Sequence, residues 1–189
     1  WLTALAICAL SVIALAGPEI HKGVKLVPGG NIDVGFLVDD SFSTRANDID
    51  SRSRLEIMKA VIANFVDSGS LGAGDRVTLF VFGTHSVWRM PLSEDFNYFK
   101  SKLAEVSHPP AYWEDSQLNT DFSNVLEHVP KCMDKQDNFF RKKAGVMDVS
   151  WLKHNRIMFL FSDGDDHAGS DISKGIRDFN KRENELKTP

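Results

Sequence analysis

Cysteine is nearly absent from this chain, which has only Cys8 and Cys132 among 189 residues. A disulfide framework needs several cysteines at regular spacing, and a structural zinc site needs paired cysteines or histidines close together in the sequence. Neither pattern is present. We therefore expect two unpaired thiols and a fold that depends on its hydrophobic core.

An excess of charge of one sign is also missing. The 22 Lys and Arg residues and the 26 Asp and Glu residues leave a net charge of −4. Because a nucleic-acid-binding surface is strongly basic, no nucleic-acid partner is expected. The hydrophobic content of 42% is enough for one globular domain with a sizeable core.

No uninterrupted apolar run is long enough to cross a membrane by itself. Residues Leu2 to Ala16 carry no charge, but as a helix they would span roughly 22 Å, against a bilayer core of ~30 Å. We interpret residues 1–16 as part of a transmembrane helix, with a signal segment as the alternative because Ala14-Leu15-Ala16 resembles a cleavage site. Residues 17–30, rich in Gly and Pro, are predicted to be a linker, and residues 31–189 to be the folded domain.

Apolar runs alternate with amphipathic segments throughout that domain. Continuous apolar stretches predict buried strands, and Pro91 restricts a fourth strand to an edge; these strands are Ile32–Val38, Arg76–Phe82, Arg156–Phe161 and the edge strand Ser86–Leu92. Alternation of strands and helices is typical of an α/β fold, so we expect a Rossmann-like, doubly wound and mostly parallel sheet with helices on both faces.

The predicted helices follow from apolar residues at helical spacing. They extend from Leu55 to Val66, from an N-cap at Ser93, from an N-cap at Thr120 to a disturbance at Pro130, and from about Ser170 to Leu186. The polar segment Lys131–Lys153 is predicted to be irregular.

Oxygen-bearing side chains follow two of the predicted buried strands. Asp39, Ser41 and Ser43 come directly after the first strand, and Asp163 follows the last, before Gly164. Ligand sites of open α/β sheets lie beyond the carboxyl ends of the strands, and Thr120 at a helix start can approach from a third loop. Hydroxyls and carboxylates are hard ligands that suit Mg²⁺, Ca²⁺ or Mn²⁺.

This set of residues resembles the metal-ion-dependent adhesion site of the von Willebrand factor type A (vWA) domain. The resemblance implies a vWA fold from residue 31 to about 187 and a divalent cation, with Mg²⁺ first and Ca²⁺ or Mn²⁺ as alternatives. It implies that the hydroxyls of Ser41, Ser43 and Thr120 bind the cation directly, and that Asp39 and Asp163 act largely through water. One coordination position is left for a Glu or Asp of a protein partner, so a binding module and not an enzyme is expected.

The apolar segment, the Pro-containing linker and the first aspartate motif together are similar to bacterial membrane-anchored vWA proteins of the BatA and BatB type. That resemblance implies an inner-membrane protein with a periplasmic vWA domain. It also implies a role in the assembly or maturation of envelope proteins with a MoxR-type AAA+ ATPase.

The chain departs from the vWA pattern at several positions. Phe42 stands where Gly is usual and Thr44 where Met is common, Asp40 adds a carboxylate, and Leu118-Asn119 precede Thr120 where a Gly is common. None of these changes removes a ligand oxygen. The family fold usually continues for one or two strand–helix units after the helix that follows Asp163, so we expect the chain to be a piece of a longer protein.

Two other functions are alternatives. A secreted or surface adhesin would use the same ion site, although such chains are more often disulfide-rich. A Mg²⁺-dependent phosphotransferase or phosphatase also places acidic residues at strand ends. The dehalogenase-like phosphatases, however, require a second Asp where this chain has Ser41, and receiver domains keep their acidic residues much closer in sequence than Asp39 and Asp163.

Overall fold

The computed structural model describes residues 32–49, 51–108, 119–144 and 155–164, together with positions 173, 175–178 and 180–181. The four described strands form one sheet in the order β3-β2-β1-β4. Strand β1 (Ile32–Asp39) is central and pairs in parallel with β2 (Arg76–Phe82) and with β4 (Asn155–Phe161). Strand β3 (Ser86–Ser93) pairs antiparallel with β2, so the predicted edge strand and the mostly parallel sheet are confirmed.

Helices cover both faces of this sheet. Successive side chains of β1 point to opposite faces, so the strand contributes to a core on each side. On one face, Val34, Phe36 and Val38 pack with residues of α1 (Arg54–Asp67) and α2 (Phe96–Ala104). On the other, Leu37 packs with β2 and with α3 (Phe122–Ala144). The expected doubly wound arrangement is therefore present.

Helix α3 is longer than the sequence pattern predicted. The prediction of an irregular segment from Lys131 is wrong as far as Ala144, since α3 continues through Pro130. Its buried positions repeat every three or four residues on both sides of the proline; they are Phe122, Val125, Val129, Cys132, Met133, Gln136 and Asp137. Packing of this face against the sheet offsets the free-energy cost of the backbone hydrogen bond that a proline inside a helix removes. Residues 145–154 lie outside the described residues.

Two predicted helix caps are also wrong by one or two positions. Ser93 ends β3, and Asp95 caps α2 by accepting a hydrogen bond from the Tyr98 amide at 2.9 Å. Asp121 and not Thr120 caps α3, because its Oδ1 accepts from the Asn124 amide at 3.0 Å. The shift leaves the Thr120 hydroxyl outside the cap and free to serve another role.

The remaining predictions about segments have mixed outcomes. Helix α1 extends over Arg54–Asp67, and the positions described between 173 and 181 are helical, within the predicted last helix. Cys132 is a buried free thiol. The apolar segment 1–16, the linker 17–30 and Cys8 lie outside the described residues, so those predictions stand as they were made. Among the residues that are described, no helix is both long and apolar enough to cross a membrane.

Candidate metal centre

Asp39, the last residue of β1, lies at the centre of the site. Its side chain is completely buried. Oδ1 accepts a hydrogen bond from the Ser41 amide at 2.9 Å, and Oδ2 accepts from the hydroxyls of Ser162 at 2.6 Å and Thr120 at 3.4 Å. Every one of these donors is neutral, so among the described residues the buried carboxylate is held by dipoles and not by a cationic side chain.

The two serines lie on the turn that leaves β1. A short 3₁₀ helix, Phe42–Arg45, follows Ser41 and brings the hydroxyls of Ser41 and Ser43 to 3.2 Å from each other. Mg²⁺ binds oxygen at 2.0–2.1 Å, which places neighbouring ligand oxygens of an octahedron about 3 Å apart, and the longer bonds of Ca²⁺ allow slightly more. The separation of these hydroxyls fits either ion.

The buried Thr44 side chain fixes the shape of this turn. Its hydroxyl donates to the carbonyl oxygen of Ser41 at 2.7 Å and lies 3.1 Å from Nε2 of His108. Since the single hydroxyl proton is directed at Ser41, the ring nitrogen of His108 acts as the donor in the second contact. The departure from the family pattern at Thr44 thus supplies an additional restraint on the Ser41 backbone.

Thr120 is brought to Asp39 by the turn after β2. The carbonyl of Gly83 accepts from the Asp121 amide at 3.0 Å, and the Thr84 hydroxyl donates to the Asn119 carbonyl at 3.2 Å. A Cβ atom on Gly83 would lie 3.3 Å from that same carbonyl and 3.2 Å from Oδ1 of Asp40. The close approach of the two loops, and with it the position of Thr120, therefore favours glycine at residue 83.

Asp163 reaches the site from the end of β4. Its side chain is 6% exposed, and Oδ2 accepts from Nη1 of Arg54 at 3.0 Å. Oδ1 is buried and has no hydrogen-bond partner among the described residues. A buried carboxylate oxygen without a donor is a position at which a cation or its bound water fits.

The electrostatics of the site point to the same requirement. Burial, the largest effect, raises the pKa of Asp39 above its usual value, and the charge of Asp163 raises it further. Burial and the charge of Asp39 raise the pKa of the half-buried Asp40 to about 7. Asp40 is thus a further carboxyl group close to Asp39, and a divalent cation would offset the mutual repulsion of these groups.

The five predicted ligands are placed as follows. Asp39, Ser41 and Thr120 are joined by hydrogen bonds, Ser43 contacts Ser41, and Asp163 is near enough for its charge to affect Asp39. No group of three or more His, Cys, Asp or Glu side chains suited to a metal is found in the described part of the chain. A cation bound at this site would therefore need the hydroxyl groups as ligands in addition to the carboxylates.

Two residues of the site were not predicted from the sequence. Ser162 donates to Asp39 and accepts from the Gly164 amide at 3.0 Å, and its place immediately before Asp163 at a strand end was the available signal. Arg54 contacts Asp163 across 109 positions of sequence, and no local pattern indicates such a contact.

Comparison with known proteins places the domain in a family. The sequence profile of the von Willebrand factor type A domain matches residues 34–165. An uncharacterised protein of Borreliella burgdorferi is 30% identical over 118 residues, which are 62% of this chain and 33% of that protein. The chain thus spans about a third of the length of this curated relative.

Solved structures with the same fold include BatB from Bacteroides thetaiotaomicron, with a TM-score of 0.61 and 20% identity over 80% of this chain and 62% of that one. An aerotolerance-related membrane protein from Bacteroides fragilis has the same TM-score and identity, over 80% and 63% of the two chains. Proximal thread matrix protein 1 of the mussel byssus, solved with a zinc-occupied MIDAS motif, has a TM-score of 0.57 and 20% identity over 81% and 36%. At these identities the likeness shows the fold.

Proposed function

The chain belongs to the von Willebrand factor type A domain family, and we propose that its metal centre binds a protein partner through a divalent cation. The hydroxyls of Ser41, Ser43 and Thr120 and the carboxylates of Asp39 and Asp163 hold that cation, with Mg²⁺ as the expected ion. The bound cation supplies a positively charged coordination position for a Glu or Asp carboxylate of the partner. The proposed role is binding, with no catalytic step.

A single observation carries this proposal: Asp39 is a fully buried carboxylate whose described hydrogen-bond donors are all neutral. Another aspartate on the same strand, Asp33, is equally buried but lies between two arginines. A buried charge requires a counter-charge, and at Asp39 the surrounding hydroxyls are suited to hold a cation in that position. The mussel byssus protein that shares the fold has zinc in its MIDAS motif, which supports a cation at the corresponding end of this sheet.

The wider setting that we propose is a bacterial inner membrane. Residues 1–16 would provide part of the anchor, and the vWA domain would lie in the periplasm. The fold shared with BatB and with the aerotolerance-related membrane protein supports this setting. We propose that the partner belongs to an assembly or maturation system for envelope proteins that includes a MoxR-type AAA+ ATPase.

The metal-dependent binding is tested with a random nonapeptide library. The chain is incubated with the library in Mg²⁺, and bound peptides are eluted with a chelator and sequenced. We expect the eluted peptides to be enriched in Glu or Asp, and replacement of that acidic residue by Gln or Asn to abolish their binding. Ser41→Ala should lose the interaction because a ligand hydroxyl is removed.

The matched control is Ser101→Ala, which removes an exposed hydroxyl on α2 whose described hydrogen bond is to the Tyr98 carbonyl in its own helix. This variant should bind the selected peptides as the parent does. Peptides that bind equally well in the chelator, or without any carboxylate, would contradict the proposal.

Phe42 is expected to influence which partner binds. It lies between the two proposed ligand serines, the residue is 56% exposed, and the Arg45 guanidinium lies 5.1 Å from its ring centroid. Burial of an apolar side chain by a partner contributes about 1.5–3 kcal/mol, so Phe42→Ala should weaken the selected peptides by roughly tenfold or more. Because Phe42 supplies no ligand, the Mn²⁺ affinity of the Phe42→Ala variant, measured by electron paramagnetic resonance, should equal that of the parent. Equal peptide affinity in parent and variant would show that the partner does not touch the ring.

A further inference from the structure

The carboxylate of Asp163 has two oxygens in different surroundings. Oδ2 accepts a hydrogen bond from Nη1 of Arg54 at 3.0 Å, whereas Oδ1 is buried without a hydrogen-bond partner among the described residues. A carboxylate rotates about a single bond, so an isolated Asp163 could direct either oxygen at the site. The arginine contact fixes which oxygen remains for another ligand.

Arg54 is itself held in place by several contacts. It is the first residue of α1, and its amide donates to the Ala46 carbonyl at 3.2 Å. Ser53 and Glu56 form a capping box around the start of this helix. The guanidinium Nε lies 3.1 Å from both carboxylate oxygens of Asp48. The planar guanidinium therefore has an anchored side facing Asp48 and a donor directed at Asp163.

From this geometry we infer that Arg54 is a positioning residue of the metal centre: it holds Oδ2 of Asp163 so that Oδ1 is presented to the cation or to its bound water. The inference rests on the proposed function, since it requires a cation at the site. Arg54 thus joins the five predicted site residues through its contact with Asp163, and not through a contact with the ligand hydroxyls.

The charge of Arg54 makes the inference sharply testable. A guanidinium near a divalent cation repels it, so removal of a purely electrostatic neighbour would tighten metal binding. Removal of a positioning residue does the opposite, because outer-shell partners of metal ligands typically contribute 10–100-fold to affinity. The direction of the change in affinity thus separates the two roles.

The experiment measures Mn²⁺ affinity by electron paramagnetic resonance for the parent, Arg54→Met, Arg54→Lys, Asp163→Asn and the double variant Arg54→Met/Asp163→Asn. We expect Arg54→Met to weaken Mn²⁺ binding by 10–100-fold. Arg54→Lys keeps the positive charge but lacks the planar guanidinium that contacts both Asp48 and Asp163. Its Mn²⁺ affinity should therefore lie between those of the parent and Arg54→Met. In the Asp163→Asn background, Arg54→Met should have little further effect, because the two residues act through the same contact.

The control is Lys100→Met, which also replaces a basic helix residue by methionine but, among the described contacts, breaks the exposed pair with Asp67. It should bind Mn²⁺ within about twofold of the parent. Tighter or unchanged binding in Arg54→Met, or additive losses in the double variant, would overturn the inference while leaving the proposed function in place. Absence of Mn²⁺ binding by the parent chain would overturn both.

Discussion

Asp33→Ala is expected to lower the free energy of unfolding by about 3–5 kcal/mol, the usual effect of removing one partner from a buried ion pair. The Asp33 side chain is completely buried near the start of β1. Its register partners on the two neighbouring strands are Arg76 and Arg156. Arg76 donates to the two carboxylate oxygens of Asp33 at 2.7 and 2.8 Å, and Arg156 donates to Oδ2 at 3.3 Å.

The network continues from the sheet to helix α3. Nη2 of Arg156 donates to both oxygens of Asp137 at 2.7 Å, and the Arg156 side chain is only 4% exposed. Loss of Asp33 would remove the carboxylate that both largely buried guanidinium groups, of Arg76 and Arg156, contact. The cost therefore includes repulsion as well as the lost hydrogen bonds.

Urea-induced unfolding followed by circular dichroism measures this effect. A fall of 3–5 kcal/mol would lower the melting temperature by roughly 6–20 °C in a domain of this size. Asp67→Asn is the matched control, because it removes a carboxylate from the exposed pair with Lys100 and should change stability by less than about 1 kcal/mol. An Asp33→Ala effect as small as that of the control would mean that the network contributes nothing to stability.

Those features of the fold that depend on local apolar pattern were predictable from the sequence. The strands β1, β2 and β4 are continuous apolar runs, and the residues at or just after the carboxyl ends of β1 and β4, Asp39 and Asp163, could be assigned to one edge of the sheet. The same pattern predicted that β4 is buried, which is wrong for the described structure, where its side chains are exposed or half-exposed. The continuation of α3 past Pro130 was missed because the charged Lys131, Asp134 and Lys135 made the segment look polar. The helical spacing of its buried positions is evident only once the sheet against which they pack is known.

Contacts between distant segments were not predictable by the same reasoning. Arg76 and Arg156 open their predicted strands and look like solvated ends until the strand register places both beside Asp33. Arg54 lies in a polar stretch with many charged neighbours, and only the folded chain selects Asp163 as its partner. The sequence pattern therefore indicates ligand chemistry at strand ends, whereas the tertiary structure determines the groups that orient those ligands.

The two buried aspartates of β1 show how partners decide the role of a carboxylate. Asp33 and Asp39 point to the same face of the sheet, since six positions separate them on a strand with a period of two. Asp33 is neutralised by protein cations at one end of the strand. Asp39, at the other end, has hydroxyls and an amide instead. This difference is the reason for proposing that a cation from solution neutralises Asp39.

Asp39→Asn should consequently reverse its effect on stability when Mg²⁺ is added. Burial raises the pKa of Asp39, so its stabilising contribution is present below the ordinary value of 3.8 and is lost as pH rises through the folded-state pKa. At neutral pH without metal, the asparagine variant should therefore be at least as stable as the parent. With Mg²⁺ at about 100 times its dissociation constant, the parent gains about 2.7 kcal/mol, or a melting temperature roughly 5–11 °C higher, and the variant gains nothing.

Thermal melts of both proteins in chelator and in Mg²⁺ at neutral pH measure the reversal. Asp67→Asn serves again as the control, since this exposed carboxylate on α1 lies in an ion pair with Lys100 and its loss should leave the Mg²⁺-dependent gain intact. Asp39 contributes a charge that only a cation makes favourable, so the metal-dependent gain must disappear with that charge. If Mg²⁺ stabilised Asp39→Asn as much as the parent, the cation would be bound elsewhere and the proposed centre would be wrong.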